Sequence, residues 1–170
     1  IFAKKPDSVD ICFLPHGNYQ KLVVEEMKGK PESGNIVTED GEVLGKHNGL
    51  FNYTIGQRKG LGIAYKHPLY VIGFNGDRNE VIVGPNEHLF TNRMICKFYN
   101  FLDDTIHKEL KAEGKIRYAA NPSPCTARIL DDDTMEVIFE EPQRAITPGQ
   151  SVAFYNGTQL LGGAVIDRVC

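Results

Sequence analysis

Cysteines at metal-ligand spacing are missing from this sequence. Cys12, Cys96, Cys125 and Cys170 stand far apart, with no Cys-x-x-Cys pair. That excludes a sequence-local metal motif and fits free thiols in a reducing cytosol. Long hydrophobic runs are also lacking: the apolar stretches are strand-sized, so no membrane span is expected. No signal-peptide pattern is legible, and the expected location is the cytoplasm. Nor is there an excess of one charge. With 19 Lys and Arg against 22 Asp and Glu, the net charge is −3, which excludes a generally basic nucleic-acid coat. Residues 1–66 carry nine basic against eight acidic groups (+1), and 67–170 carry ten against fourteen (−4). Any RNA or DNA surface must therefore be a local patch on a mildly acidic body. The Gly-Lys-Ser/Thr ending of a P-loop and the G-x-G-x-x-G fingerprint are absent as well.

What is present is a globular composition, 41% hydrophobic and 24% charged over 170 residues, enough for one ordinary domain or two small ones. One run dominates: residues 53–62, Tyr-Thr-Ile-Gly-Gln-Arg-Lys-Gly-Leu-Gly. Its glycines allow positive φ and close backbone approach. Its Arg58-Lys59 pair suits a polyanion. Two readings fit these residues, a phosphate-facing turn and a glycine-rich surface hairpin with a solvated basic pair.

The pattern along the chain is mainly β. Apolar residues at 19, 22, 23 and 27 share a helical face, with Asn18 as a cap and Gly29 as a stop. Residues 35–38 and 42–44 flank Glu39-Asp40-Gly41, a hairpin signal. Beyond His67-Pro68, strands are expected at 69–74, 80–83, 93–98, 115–119, 126–130, 135–140, 151–155 and 159–166. One or two helical turns are expected at 106–112, stopped by Gly114. Short strands at this spacing indicate a closed or nearly closed barrel. The expected organisation is a short segment 1–14, a small mixed α/β central domain at 15–77 and a C-terminal β-barrel at 78–170.

Few residues invite chemistry. Cys12 follows Lys4 and Lys5, which favour a thiolate, and Asp7 and Asp10, which oppose it. As a cysteine in an apolar run it also reads as a small core residue. Cys96 and Cys125 fall in expected strands and read as structural. His16, His47 and His88 sit in polar loop contexts, and Asp131-Asp132-Asp133 reads as a solvated hairpin turn, so no metal site is expected. Arg117-Tyr118 places a guanidinium and a ring before the loop Asn121-Pro122-Ser123-Pro124, a combination able to hold a phosphate and stack a base. Strand alternation offers the plainer alternative, one side chain in the barrel core and one out. Gln150, after Pro148-Gly149, has an amide available for a base or backbone contact.

Four segments, in this order, resemble the tRNA-specific 2-thiouridylase family. They are Asp7-Ser8-Val9-Asp10-Ile11-Cys12-Phe13, residues 49–62, Lys115-Ile116-Arg117-Tyr118 through Pro124-Cys125, and residues 147–155 beginning Thr-Pro-Gly-Gln. The resemblance implies a barrel like those of translation factors and an ATP-dependent sulfur transfer to C2 of the wobble uridine, U34, of tRNAs for Lys, Glu and Gln. It implies a cysteine persulfide at Cys12, a second cysteine that releases sulfur through a disulfide, and a partner protein that donates persulfide sulfur. Arg117, Tyr118 and Gln150 match positions that contact tRNA in the family, and Arg58 and Lys59 are further candidates. The family's ATP loop, Ser-Gly-Gly-x-Asp-Ser, does not occur here. The expectation is thus the central and C-terminal part of a longer enzyme, with ATP and Mg bound by another domain, no cofactor in this chain and no thiolation by it alone. The alternatives are a stand-alone RNA-binding barrel, in which Cys12 is only structural, and a protein-interaction barrel. Oligomeric state is not legible.

Overall fold

The computed structural model describes residues 19–26, 32–103 and 108–170. Cys12, Lys4, Lys5, His16, Asn18 and Gly29 lie outside the described residues. Contacts divide the chain into two units. One holds the described part of residues 1–54 with Gly73–Ile82, and the other holds Ile55–Ile72 with Val83–Cys170.

The first unit contains helix α1 (Tyr19–Glu26) and the hairpin of β1 (Gly34–Thr38) and β2 (Val43–His47). The hairpin turn is closed by Thr38 N–H to the Glu42 carbonyl at 2.9 Å and by Gly41 N–H to the Thr38 carbonyl at 3.0 Å. Strands β3 (Tyr70–Asn75) and β4 (Glu80–Gly84), each divided between the two units with Tyr70–Ile72 and Val83–Gly84 in the second, complete a four-stranded sheet of order β2-β1-β4-β3. His47 does not lie in a polar loop. It ends β2 and is 1% exposed, with Nε2 3.0 Å from the Asn79 carbonyl and Nδ1 accepting the Gly49 N–H at 3.1 Å. Burial is tolerated because both ring nitrogens are satisfied. No helix among the described residues is long and apolar enough to cross a membrane.

The second unit is a closed barrel of β5 (Phe90–Phe101), β6 (Glu109–Lys115), β7 (Ser123–Ile129), β8 (Thr134–Arg144), β9 (Ser151–Asn156) and β10 (Gln159–Val169), in the order β10-β5-β8-β7-β6-β9. Alternation builds its core. Met135, Val137 and Phe139 of β8, Val152 and Phe154 of β9 and Ala164 and Ile166 of β10 all point inward. The mainly β architecture, a smaller mixed unit and a closed barrel, is the expected one.

The stretch 106–119 differs from expectation. Its described part is not helical: β6 runs to Lys115, and residues 117–120 form a turn closed by Ala120 N–H to the Arg117 carbonyl at 3.1 Å. Gly114 does not stop a helix. It pairs with Ser123 and Phe154 inside the barrel wall. A Cβ there would lie 2.8 Å from the Phe139 ring and 2.9 Å from Cys125 Sγ. Glycine is required because the buried Phe139 ring packs against that backbone.

Cys96 and Cys125 are buried in the barrel. Burial, then the negative charges of Asp167 and Cys125, pushes the Cys96 thiol up to about 12. Burial also raises Cys125 to about 11, opposed by the Gly114 N–H and aided by Glu140. Neither is a thiolate near neutral pH. In the 131–133 turn, Asp131 Oδ1 accepts the N–H groups of Asp133 (3.0 Å) and Thr134 (2.8 Å). These bonds, with the charge of Lys97, hold the exposed Asp131 carboxyl below its usual range.

Candidate nucleic-acid interface

A densely bonded corner of the barrel follows β8. Ala145 is a non-glycine residue at φ 55°, a left-handed conformation that side chains seldom adopt. It is held there by surrounding bonds. Its N–H donates to the Leu89 carbonyl at 2.6 Å, and its carbonyl accepts the Thr147 hydroxyl at 3.0 Å. Its methyl is buried.

Arg117 is tied to the same corner. Its Nη2 donates to the Arg144 carbonyl at 3.1 Å and to the Ala145 carbonyl. The barrel-core residue beside it is Ile116, so neither Arg117 nor Tyr118 fills the core. Strand β6 has already ended, and alternation no longer governs where the two side chains go. Arg117 is half-buried, and Tyr118 is 80% exposed with Lys115 Nζ 5.5 Å from its ring centre. The result is an anchored guanidinium next to an outward aromatic ring.

Gln150 joins the corner from the other side. Its N–H donates to the Thr147 carbonyl at 3.2 Å, and its own carbonyl accepts the Ile166 N–H at 2.7 Å. A continuous set of bonds thus runs from Arg117 through Ala145 and Thr147 to Gln150. The Gln150 side chain is exposed.

The glycine run packs on this unit too. Gly56 N–H donates to the Val71 carbonyl at 2.7 Å, and Val71 N–H donates to the Gln57 carbonyl at 2.9 Å. Gly56 has φ 89°, and a Cβ there would stand 3.1 Å from the Ala145 methyl and 3.3 Å from Arg144 Nη1. Arg58 and Lys59 are exposed. Arg58 and residues 60–69 line a cleft of about 660 Å³; residues 53–69 include no Asp or Glu. The run therefore does two things: Gly56 abuts the corner, and Arg58 with Gly60, Leu61 and Gly62 helps wall a cleft that Lys66 also lines.

Arg144 is the residue that the sequence reading missed. Its Nε donates to Asn86 Oδ1 at 3.1 Å, and its guanidinium carbon lies 5.4 Å from the centre of the Tyr70 ring. The available signal was its position three residues before the Thr147-Pro148-Gly149-Gln150 segment. Arg117, Gln150, Gly56 and Arg144 are brought together around one corner. Cys12 lies outside the described residues.

Two families match this chain side by side. One is described as the tRNA methyl transferase PRC-barrel domain and covers residues 21–85; the other, the aminomethyltransferase beta-barrel domain, covers 91–166. Fold and matches together define the class: a PRC-type barrel domain followed by an aminomethyltransferase-type β-barrel. Among curated relatives, the tRNA-specific 2-thiouridylase MnmA of Clostridioides difficile is 45% identical over 165 residues, 96% of this chain and 46% of that protein. The protein of the same name from Carboxydothermus hydrogenoformans is 44% identical over 99% of this chain and 46% of its own length. That from Geotalea uraniireducens is 44% identical over 98% and 44%. The chain belongs to the tRNA-specific 2-thiouridylase family, and it spans about half the length of these relatives.

Proposed function

We propose that this chain is the tRNA-engaging part of a tRNA-uridine 2-sulfurtransferase. The intact enzyme 2-thiolates U34 of tRNAs for Lys, Glu and Gln in the cytoplasm, with ATP and a persulfide donor protein. In this reading residues 1–14 end the ATP-binding domain and carry the persulfide cysteine, 15–77 form the central domain, and 78–170 form the barrel. The observation that carries the proposal is the 45% identity to a 2-thiouridylase along 96% of the chain.

Cys12 is the sulfur carrier in this scheme. The terminal sulfur of its persulfide, a soft nucleophile, forms the new bond to an activated C2, and the oxygen at C2 leaves. A second cysteine thiolate then attacks Cys12 Sγ, breaks its bond to the transferred sulfur and forms a disulfide. Cys96 and Cys125 are poor candidates for that thiolate, since burial keeps both protonated. The residues described here do not fit ATP. The run 53–62 lacks the P-loop spacing, and its Gly56 N–H is already bonded to Val71. The chain alone should therefore not thiolate tRNA.

Arg117, Tyr118 and Gln150 supply the tRNA contacts in this proposal, with Arg58 and Lys59 as further cations. The anchored Arg117 supports it, because a guanidinium held at one edge loses little freedom on binding a phosphate. The test is to assay 2-thiouridine in tRNA treated with the intact enzyme and its Cys12→Ser variant, alongside tRNA binding by this chain. Loss of thiolation with binding retained is expected. Full thiolation by Cys12→Ser would overturn the sulfur-carrier role and favour an RNA-binding barrel in which Cys12 is structural.

A further inference from the structure

A second cleft, of about 320 Å³, opens between the turn after β6 and the end of β8, and both Arg117 and Arg144 line it. The other polar side chains on its wall are Asn121, Ser123 and Gln143, and no carboxylate lines it. Among the described residues neither arginine has a carboxylate partner within ion-pair distance. Two guanidinium groups at one cleft without a counter-charge repel each other. An arrangement of this kind is stabilised by an anion placed between them.

The way each arginine is held points to the same ligand. An arginine has five N–H donors in a planar fork. Arg117 uses Nη2 on the Arg144 and Ala145 carbonyls, and Arg144 uses Nε on Asn86 Oδ1 while its plane rests by Tyr70. No side-chain nitrogen or oxygen among the described residues is both buried and unsatisfied, so their remaining N–H groups reach either solvent or a partner. Each fork is thus fixed at one edge and available at the other. Gly56 adds a limit: any side chain there would meet Arg144 Nη1 at 3.3 Å, so the glycine leaves room for Arg144 to hold this pose.

The geometry points to Arg117 and Arg144 as a two-point clamp for one phosphodiester group of a bound RNA, with Arg144 the contact that no relative's name or family expectation supplies. A base is the poorer occupant, since the wall of this cleft carries no aromatic ring, whereas Tyr118 is exposed on the adjoining turn. The inference rests on the tRNA-binding proposal above.

The test measures the salt dependence of binding of an unmodified tRNA-Lys transcript to this chain. Removing one phosphate contact should lower the slope of log K against log salt by about 0.7 to 0.9. Arg144→Gln is expected to do so and to weaken binding about tenfold near 0.1 M salt. Arg144→Lys keeps the charge and stem but not the fork; it should keep the slope and weaken binding severalfold. Arg144→Gln with the wild-type slope and affinity, while the wild type binds, overturns the clamp and leaves the tRNA proposal standing. Should Arg144→Gln fail to fold, wild-type affinity in Arg144→Lys overturns the clamp. No binding by the wild type sinks both proposals.

Discussion

Arg117 crosses from the turn after β6 to bond the Arg144 backbone, Nη2 to carbonyl at 3.1 Å, 27 positions away in sequence. A surface cation is thereby made part of the barrel's framework. Its charge and its placement are separable by substitution.

Replacing Arg117 by Lys retains the charge but cannot serve two adjacent carbonyls from a flat fork. We expect a stability loss of about 1 to 2 kcal/mol, from the bonds removed, and a fall in tRNA affinity without a change in salt slope. Denaturant melts and binding titrations read the two effects separately. Unchanged stability would show that the carbonyl bonds do not hold the corner.

Among the glycines of the run 53–62, Gly56 should be the least tolerant of alanine. Gly56→Ala places an L-residue at φ 89° with its Cβ 3.1 Å from the Ala145 methyl, costing about 2 kcal/mol from conformation and crowding together. Gly62→Ala, at φ 68° with nothing within 4 Å, should cost about 1 kcal/mol from conformation alone. Equal midpoints for the two in urea would refute the packing of Gly56 on the corner.

Gly114→Ala should destabilise the barrel by about 1 to 3 kcal/mol through overpacking against Phe139. Phe139→Leu alone should cost about 1 to 2 kcal/mol in lost packing. Because one change makes room for the other, the double variant should be more stable than the sum of the two losses predicts. Strict additivity would place the conflict elsewhere.

The buried thiols set an alkaline limit. The folded-state pKa values, about 12 for Cys96 and about 11 for Cys125, lie above the ordinary value of 9.0. The folded chain therefore holds these protons more tightly than the unfolded one. Their contribution is fully present below about pH 9 and is lost as pH rises towards 11 to 12. Relative to the wild type, Cys96→Ala/Cys125→Ala should show a shallower fall in stability over that window. At pH 8 a thiol reagent should label the exposed Cys170 and spare Cys96 and Cys125 until the chain unfolds. Rapid labelling of either in the folded chain would contradict their burial.

The barrel was legible in the sequence wherever two-residue periodicity was local. Val152 and Phe154, or Met135, Val137 and Phe139, alternate with more exposed neighbours and need no distant information. Gly114 was misread because its meaning depends on Phe139, 25 positions later. The candidate cations were legible as types but not as a corner. Ala145 takes a left-handed φ with its N–H on the distant Leu89 carbonyl and its carbonyl on the Arg117 guanidinium, and nothing in Arg144-Ala145-Ile146 announces that. His47 was misjudged for the same reason, since Asn79, whose carbonyl its ring meets, is 32 positions away.

Closure of the barrel has a consequence for recognition. Every one of its six strands has a hydrogen-bonded neighbour on both sides, so the wall has no edge strand to which another chain could add one of its own. A partner of this unit must be met by side chains, and the connecting segments are where side chains escape the alternation of the wall. The turn bearing Arg117 and Tyr118 and the turn bearing Gln150 are two such segments. Changes in their length or composition would retune what the barrel recognises while leaving its wall intact.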